Sequence, residues 1–312
     1  MKPAYTIAAD ILDSWRDELF TGAAPELHNL GAGMPADVLG PGRVVLLGGL
    51  PGGGKTALSM QWTIDALRAD RELRAAVCNI EMTPAVLLDR QLARLAGVPL
   101  GIIAQRTLTA EHADRIDRGL ATLALVAERL AFVGAPYDLG NVAATADDFS
   151  GGLLVLDYLQ RIRPPGEHDG KRASVDALMD YLRQFADAGC AVLAVSAVSR
   201  TKDKLGRSSY DGTGLGLASF RESSELEYGA DTAFVLVPDR EEAELVTLRC
   251  LKHRHGEPRD VELYFERAIQ SFQPAEATPK PKRTDRGKLT AGLKALWAST
   301  AAADDDDGGT DD

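Results

Sequence analysis

Apolar and polar residues follow one another in blocks that predict alternating strands and helices along most of the chain. Short apolar runs are typical of strands buried on both faces, and we predict them at 44–47, 75–80, 130–133, 153–156 and 191–196. Apolar residues at helical spacing predict a helix from Thr56 onward and others at 84–96, 109–129 and 175–188. Three later strands, at 232–237, 244–252 and 260–265, follow without helices between them. The pattern predicts an α/β fold whose mostly parallel sheet has helices on both faces and antiparallel edge strands.

The two ends of the chain differ in pattern from its middle. Residues 5–20 place apolar side chains at helical intervals with acids between them, which predicts a short amphipathic helix. This helix packs on its own domain or docks on a neighbouring subunit. From Pro274 onward the chain is rich in Pro, Lys, Ala and Asp, with basic residues before the terminal aspartates. That composition predicts a largely disordered tail.

Charge and cysteine content narrow the class of protein only a little. The formal net charge is −11, and six aspartates lie among the last nine residues, so the remainder carries −5. A mildly acidic body can still present a local basic groove to nucleic acid. The three cysteines are far apart in sequence, which predicts free buried thiols in a reducing cytoplasm. No stretch is apolar over the length that spans a bilayer, so we expect no membrane partner.

A glycine-rich segment joins the first strand to the helix that follows it. Its pattern is Gly-x-x-x-x-Gly-Lys-Thr, from Gly49 to Thr56, which is the P-loop pattern. Glycines let backbone N–H groups curl around a phosphate, Lys55 can reach the β- and γ-phosphates, and the Thr56 hydroxyl can bind Mg²⁺. The predicted nucleotide contacts are Gly49, Pro51, Gly52, Gly53, Gly54, Lys55, Thr56 and Ala57.

Two carboxylates end strands that we expect beside the P-loop. Asp157 follows the apolar run 153–156, which is the Walker B pattern of an acid that holds Mg²⁺ through water. Glu81 follows the strand 75–80, where a carboxylate can orient the water that attacks a γ-phosphate. The alternative for Glu81 is an acid at the N-terminus of the next helix.

Five segments resemble, in order, the motifs of DnaB-type replicative helicases. Residues 157–160 are Asp-Tyr-Leu-Gln, like the family's D-Y-L-Q, and residues 79–82 are similar to its S-L-E-M. Residues 196–200 lie where the family has S-Q-L-N-R, and residues 220–231 are similar to L-R-E-S-G-S-I-E-Q-D-A-D. Residues 251–258 are similar to the K-Q-R-N-G-P segment, which bears a finger that reaches a neighbour's nucleotide.

This resemblance implies a RecA-like P-loop NTPase core over residues 25–273, after a linker helix in 1–24 and before a tail in 274–312. It implies hydrolysis of ATP with Mg²⁺, Glu81 polarising the water, and a hexameric ring with active sites between subunits. Lys252 and Arg254 would lie on one face of a strand and supply cations to the neighbour's nucleotide. An ordinary solvated strand face is the alternative. Expected partners are single-stranded DNA and a loader or other replication protein.

In such rings DNA contacts the loops after the Walker B strand and after the next strand. Here these are residues 160–172 and 200–216, and the expected DNA-binding residues are Arg161, Arg163, Arg172, Arg200, Lys202, Lys204 and Arg207. Flexible cations repeated along a track suit backbone phosphates, although ordinary solvated loops are the alternative. The acidic tail is expected to be a solubilising segment, with competition against DNA for these cations as the alternative.

The sequence also departs from the family pattern. Ala197 stands where the family has a glutamine thought to sense the γ-phosphate, and alanine cannot hydrogen-bond through its side chain. Tyr228 and Gly229 replace a Gln-Asp pair. Our first hypothesis is a ring-shaped DNA helicase. The second is a RecA-fold ATPase that acts as a recombinase-like or regulatory switch without unwinding, and the third is a binding module with little turnover.

Overall fold

The computed structural model describes residues 5–22, 24–198, 201–202, 208–209 and 229–277, without the side chains of 171–172, 201–202, 208–209 and 277. Its strands are β1 (Val44–Gly49), β2 (Ala75–Asn79), β3 (Leu130–Phe132), β4 (Leu153–Asp157), β5 (Ala191–Ala197), β6 (Thr201–Lys202), β7 (Ser208–Ser209), β8 (Thr232–Pro238), β9 (Leu245–His253), β10 (Val261–Glu266) and β11 (Ser271–Pro274). Nine of these form one sheet, and the short β6 and β7 pair separately.

The large sheet has the order β11-β10-β9-β8-β1-β5-β4-β2-β3. The six strands from β8 to β3 run parallel, and β9, β10 and β11 extend the sheet antiparallel. The predicted mostly parallel sheet with antiparallel edge strands is therefore confirmed. Strand β11 was not predicted, because its four residues, Ser-Phe-Gln-Pro, have no strand pattern of their own and form a strand by pairing with β10.

The described helices are α1 (Ala8–Thr21), α2 (Lys55–Ala69), α3 (Pro84–Ala96), α4 (Leu100–Ala104), α5 (Ala113–Ala127), α6 (Leu139–Asp148) and α7 (Gly170–Asp187). Helices α4 and α6 were missed. Helix α6 is short and rich in small residues, and it starts where the Asp138 carboxylate accepts a hydrogen bond from the N–H of Asn141 at 2.8 Å. Helix α7 begins five residues before the predicted start, so the predicted loop 160–172 ends within a helix.

The sheet lies between two apolar layers because alternate residues of each strand point to opposite faces. Val45 and Leu47 of β1 belong to the same buried cluster as Trp62 of α2. Val44 and Leu46 belong to the cluster that packs against α6 and α7. Every residue of β1 is buried, which is what its unbroken apolar run predicts.

Helix α1 buries none of its residues. Its apolar side chains remain exposed, Trp15 at 53% and Phe20 at 80%, and the helix ends at Gly22 with φ 69°. The alternative in which this helix packs on its own domain is therefore wrong for the described chain. None of the described helices has the length and apolar composition that crossing a bilayer requires.

After Pro274 the structure describes only the 3₁₀ turn Ala275–Ala277. The prediction of a disordered tail lies outside the described residues from 278 onward. The segment 220–228, which carries part of the family resemblance, and most of the loop 200–216 lie outside them as well.

Candidate nucleotide-binding site

The P-loop connects the end of β1 to the start of α2 at the carboxyl edge of the sheet. Gly54 has φ 91°, and a Cβ placed there would lie 2.7 Å from the ring of Phe272 and 2.9 Å from that of Phe265. Only glycine fits this position, because the backbone conformation and the aromatic rings both exclude a side chain. The two rings stack with centroids 4.2 Å apart and support the loop from β10 and β11.

Lys55 folds back over the loop from the first turn of α2. Its Nζ donates hydrogen bonds to the carbonyl oxygens of Gly49 at 2.9 Å and Leu50 at 3.0 Å. Burial lowers the pKa of Lys55, while the carboxylates of Asp157 and Glu81 act in the opposite direction. The two carboxylates therefore offset part of the effect of burial on the ammonium beside the loop.

Asp157 is a buried carboxylate at the end of β4 and lines the pocket beside the P-loop. Burial raises its pKa, and a hydrogen bond with Thr56 and the charge of Lys55 oppose that shift. The peptide bond between Asp157 and Tyr158 is cis. A hydroxyl and a carboxylate in contact are a donor set that suits Mg²⁺, which takes one or two protein oxygens and completes its shell with water and phosphates.

Asn79, which the sequence analysis did not single out, connects this carboxylate to the next strand end. Its side-chain nitrogen donates to Asp157 Oδ2 at 2.9 Å, and its Oδ1 accepts the N–H groups of Glu81 at 3.1 Å and Met82 at 2.8 Å. The amide therefore fixes the turn that carries Glu81 relative to Asp157. An asparagine two residues before an acid at a strand end is the local signal that could have identified it.

These elements enclose a pocket of about 630 Å³, a size that suits a small-molecule ligand. Of the predicted residues, those lining it are Pro51, Gly52, Gly54, Lys55, Thr56, Ala57, Glu81 and Asp157. Gly49 and Gly53 belong to the loop backbone but do not line the pocket. A nucleoside triphosphate with Mg²⁺ fits this set, because the loop, the lysine and the oxygen ligands converge on one space. The described residues include no group of three His, Cys, Asp or Glu side chains that could bind a metal alone.

Two arginines that no local sequence pattern predicts, Arg90 and Arg267, also line the pocket. Arg90 of α3 donates from Nη1 to Gln270 Oε1 at 2.7 Å, while its buried Nε has no hydrogen-bond partner among the described residues. Burial lowers the pKa of Arg90, and the charge of Asp157 opposes this. Arg267 donates to the carbonyl of Gly52 at 2.9 Å with its guanidinium over the Phe265 ring.

Lys252 and Arg254 do not line this pocket. Lys252 lies in β9, but Arg254 lies in the turn one residue beyond it, so the prediction that both alternate on one strand face is wrong. Arg254 donates from Nη1 to Asp231 Oδ1 at 2.8 Å, and Asp231 Oδ2 accepts the N–H of Val44 at 2.8 Å. Val44 and Gly49 are the two ends of β1, about 16 Å apart at ~3.3 Å per residue. Arg254 therefore lies at the sheet edge opposite to the P-loop.

The predicted DNA-binding residues are only partly described. Arg161 and Arg163 are exposed in the segment after β4, and the Arg161 guanidinium lies 5.9 Å from the Tyr158 ring. Arg172 lies in the first turn of α7 instead of a loop, and its side chain is outside the description. Lys202 is in β6, also without a described side chain, and Arg200, Lys204 and Arg207 lie outside the described residues.

Comparisons with known proteins agree on the fold. The model of the DnaB-like helicase C-terminal domain matches residues 29–274. A solved structure of a DnaB-like replicative helicase and its interactions with primase is similar at a TM-score of 0.71 and 18% identity, covering 86% of this chain and 67% of that chain. The ATPase domain of G40P is similar at 0.71 and 17%, covering 86% and 99%. A search of curated proteins finds no significant match.

Proposed function

Because the chain belongs to the DnaB-like helicase C-terminal domain family, we propose that it is an ATP hydrolase that assembles into a ring and moves along single-stranded DNA. The observation that carries this proposal is the pocket in which Lys55, Thr56, Asp157 and Glu81 surround one space. These residue types around one space are sufficient to bind a triphosphate and to activate water for attack on its γ-phosphate.

The proposed chemistry divides between the loop and the two strand ends. The backbone N–H groups of the loop and Lys55 would hold the phosphates, while Thr56 and Asp157 would hold the metal ion. When bound, Mg²⁺ neutralises charge on the β- and γ-phosphates. Glu81 orients a water molecule and accepts its proton as the oxygen attacks the γ-phosphorus and the bond to the β-phosphate oxygen breaks. The hydrogen bonds from Glu81 and Met82 to Asn79 keep this carboxylate at the pocket.

Arg90 adds a cation from the same chain. Its side chain lines the pocket, with Nη1 held by Gln270 and a buried Nε that has no hydrogen-bond partner in the described part of the chain. A phosphate oxygen is the kind of acceptor that such a nitrogen lacks. We propose that Arg90 contacts the phosphates and stabilises the charge that grows on them during hydrolysis.

The position of Arg254 supports assembly of several copies. It lies about one strand length, ~16 Å, from its own P-loop, which exceeds the reach of its side chain. If Arg254 and Lys252 act on a nucleotide, that nucleotide belongs to a neighbouring copy, and head-to-tail contacts of this kind close into a ring. The exposed apolar side chains of α1 are available to such a neighbour. We propose that six copies form this ring.

DNA binding is proposed from position and charge together. Arg161 and Arg163 are exposed and follow β4 directly, so they lie at the same sheet edge as the pocket. Cations at this edge can bind backbone phosphates without sequence preference. A loader or primase-type partner remains a proposal.

Ala197 favours the second candidate function, an ATPase switch that does not unwind duplex. It lines the pocket at the end of β5 and offers no side-chain hydrogen bond to a γ-phosphate. Displacement of a strand from a forked duplex distinguishes the two functions. Displacement that requires ATP supports the helicase, whereas DNA-stimulated hydrolysis without displacement supports the switch.

The first test is ATP hydrolysis by the full chain with and without single-stranded DNA, beside Glu81→Gln. We expect the substitution to lower kcat by about 100-fold or more, because general-base catalysis typically contributes 10² to 10⁴. Glu128→Gln is the matched control, since Glu128 is exposed at the end of α5, and it should keep full activity.

Binding of a slowly hydrolysed ATP analogue should survive in Glu81→Gln, since Glu81 is not a phosphate contact. Equal hydrolysis by Glu81→Gln and the parent protein would contradict the assigned role. Hydrolysis indifferent to DNA would contradict the motor and leave an ATPase with another partner.

A further inference from the structure

The side-chain amide of Gln160 joins the ends of two neighbouring strands. Gln160 follows β4 by three residues, and its Nε2 donates to Ser196 Oγ at 2.7 Å and to the Ala197 carbonyl at 3.4 Å. Its Oε1 accepts the backbone N–H of Ala197 at 3.2 Å. All three bonds therefore go from the segment after β4 to the last two residues of β5.

The sheet explains why a side chain is needed there. Strand β4 ends at Asp157, which pairs with Val195, whereas β5 continues to Ala197 and pairs on its other side with Gly49 of β1. Beyond Val195 the edge of β5 that faces β4 has no strand partner. The Gln160 amide supplies there the acceptor and donor that a longer β4 backbone would have supplied.

The joined segments both border the nucleotide pocket. Tyr158, two residues before Gln160, lines the pocket from the β4 side, and Ala197 lines it from the β5 side. On the β4 side the chain continues to the exposed Arg161 and Arg163. Gln160 therefore lies between the nucleotide pocket and these two cations.

We propose that Gln160 is the positioning residue that couples the nucleotide state to DNA affinity, an inference that rests on the proposed function. By holding the ends of β4 and β5 together, it makes Tyr158 and Ala197 move as one unit when the pocket is filled. The segment that carries Arg161 and Arg163 then changes position with them, and the affinity for DNA changes as well. Coupling of this kind is a difference in free energy between two sites, and it is reciprocal.

The alternative is that Gln160 only satisfies the polar groups at the end of β5. Such a role would affect the stability of the strand end and nothing else. The two roles differ in one quantity, the ratio of the DNA dissociation constants in ADP and in a slowly hydrolysed ATP analogue. Stability alone does not change that ratio.

The experiment measures this ratio for the full chain with a fluorescent oligothymidylate. We expect a ratio between about 5 and 150 in the parent protein, as is usual for coupled sites. In Gln160→Ala the ratio should fall to within about twofold of one. Ser196→Ala removes the partner of the 2.7 Å bond and should lower the ratio part of the way. Gln160→Glu keeps an acceptor for the Ala197 N–H and should restore part of the ratio.

Gln184→Ala is the matched control, because Gln184 is exposed on α7, and its ratio should equal that of the parent. A parental ratio in Gln160→Ala overturns the inference, whatever happens to its melting temperature. If Gln160→Ala does not fold, Ser196→Ala decides, and a parental ratio there has the same meaning. A ratio of one in the parent protein overturns the proposed DNA motor together with this inference, whereas a parental ratio in Gln160→Ala overturns this inference alone.

Discussion

The two edges of the central sheet differ in how complete their chemistry is. At the carboxyl edge, one chain brings a lysine, a hydroxyl and two carboxylates around a single pocket, and the Asn79 amide holds one of these carboxylates. At the opposite edge, Asp231 is 2% exposed and binds Arg254, which is itself 45% exposed and does not line the nucleotide pocket. The first edge forms a candidate nucleotide site, whereas at the second edge a buried carboxylate holds an arginine away from that site.

Strand direction produces this difference. Parallel strands end at the same edge, so the P-loop and the residues after β2, β4 and β5 meet there. Strand β9 runs antiparallel to β8 and carries the chain back, so the turn after it lies at the other edge. A cation placed after β9 therefore cannot reach its own nucleotide.

The difference between the two edges would have no functional meaning if Arg254 acted on the nucleotide of its own chain. We expect Arg254→Ala to lower ATP hydrolysis by about 100-fold or more, because a cation supplied by a neighbour typically contributes 10³ or more in such enzymes. Mixing it with Lys55→Ala, which is also inactive, should restore part of the activity, since the mixed assembly contains pockets with both groups intact. Steady-state hydrolysis of the mixture measures this.

Arg259→Ala is the control, since Arg259 is 82% exposed on the segment after the same turn. Mixtures that stay inactive while the two variants co-assemble would show that Arg254 does not act across subunits.

The network that holds Arg254 predicts an effect on stability. Burial raises the pKa of Asp231. The hydrogen bonds from the Val44 N–H and the Arg183 guanidinium lower this pKa by more, so it lies below the ordinary value. The carboxylate thus stabilises the fold above the pKa of the unfolded chain, and this contribution is lost as pH falls through the lower folded pKa. Asp231→Asn should lower the free energy of unfolding at pH 7 by about 2 kcal/mol, discounted because both arginines are partly exposed. Urea unfolding measures this.

Asp148→Asn, at the exposed end of α6, should stay within about 0.5 kcal/mol of the parent. The gap between Asp231→Asn and the parent should narrow below about pH 4, where the aspartate of the unfolded chain is protonated. An unchanged gap at that pH would contradict the assigned charge interactions.

At the carboxyl edge, the sharper test is Asn79→Ala. The substitution removes the hydrogen bonds that place Glu81 and hold Asp157, and we expect kcat to fall about 10-fold, the equivalent of one lost hydrogen bond of ~1.4 kcal/mol. Asn29→Ala, an exposed asparagine in the N-terminal connector, should keep the parental kcat. A normal kcat with a raised KM in Asn79→Ala would mean that Asn79 contributes to nucleotide binding instead of catalysis.

The smallest expected effect is a difference in reactivity among the three thiols, which reports how well each part of the sheet excludes solvent. Cys78 precedes Asn79 in β2, and burial raises the pKa of its thiol to about 11. Cys190 and Cys250 are only partly buried, so the prediction of buried thiols holds for Cys78 alone. When the folded protein is treated with a disulfide reagent, Cys190 and Cys250 should react first. Cys78 should react at least about 10-fold more slowly, because the thiolate is the reactive form. Three equal rates would mean that the pocket edge opens readily.

The amino-acid sequence by itself determined the features that are local. The P-loop, the acids at 81 and 157, and the strands that precede them follow from short apolar runs and fixed spacings. Binary pattern specifies an element wherever the residues that define it are neighbours in the chain. The sheet class and the place of Lys55, Thr56, Glu81 and Asp157 around one pocket could therefore be predicted.

Only the tertiary structure decided the contacts between distant segments. Arg267 meets Gly52 across 215 positions, and Gln160 meets Ala197 across 37. Strand β11 exists because Phe272 and its neighbours pair with β10, and Arg254 faces outward because β9 reverses direction. Such contacts depend on how the sheet orders its strands, which no local pattern specifies, since the order is set by the packing of all nine strands and both helix layers together.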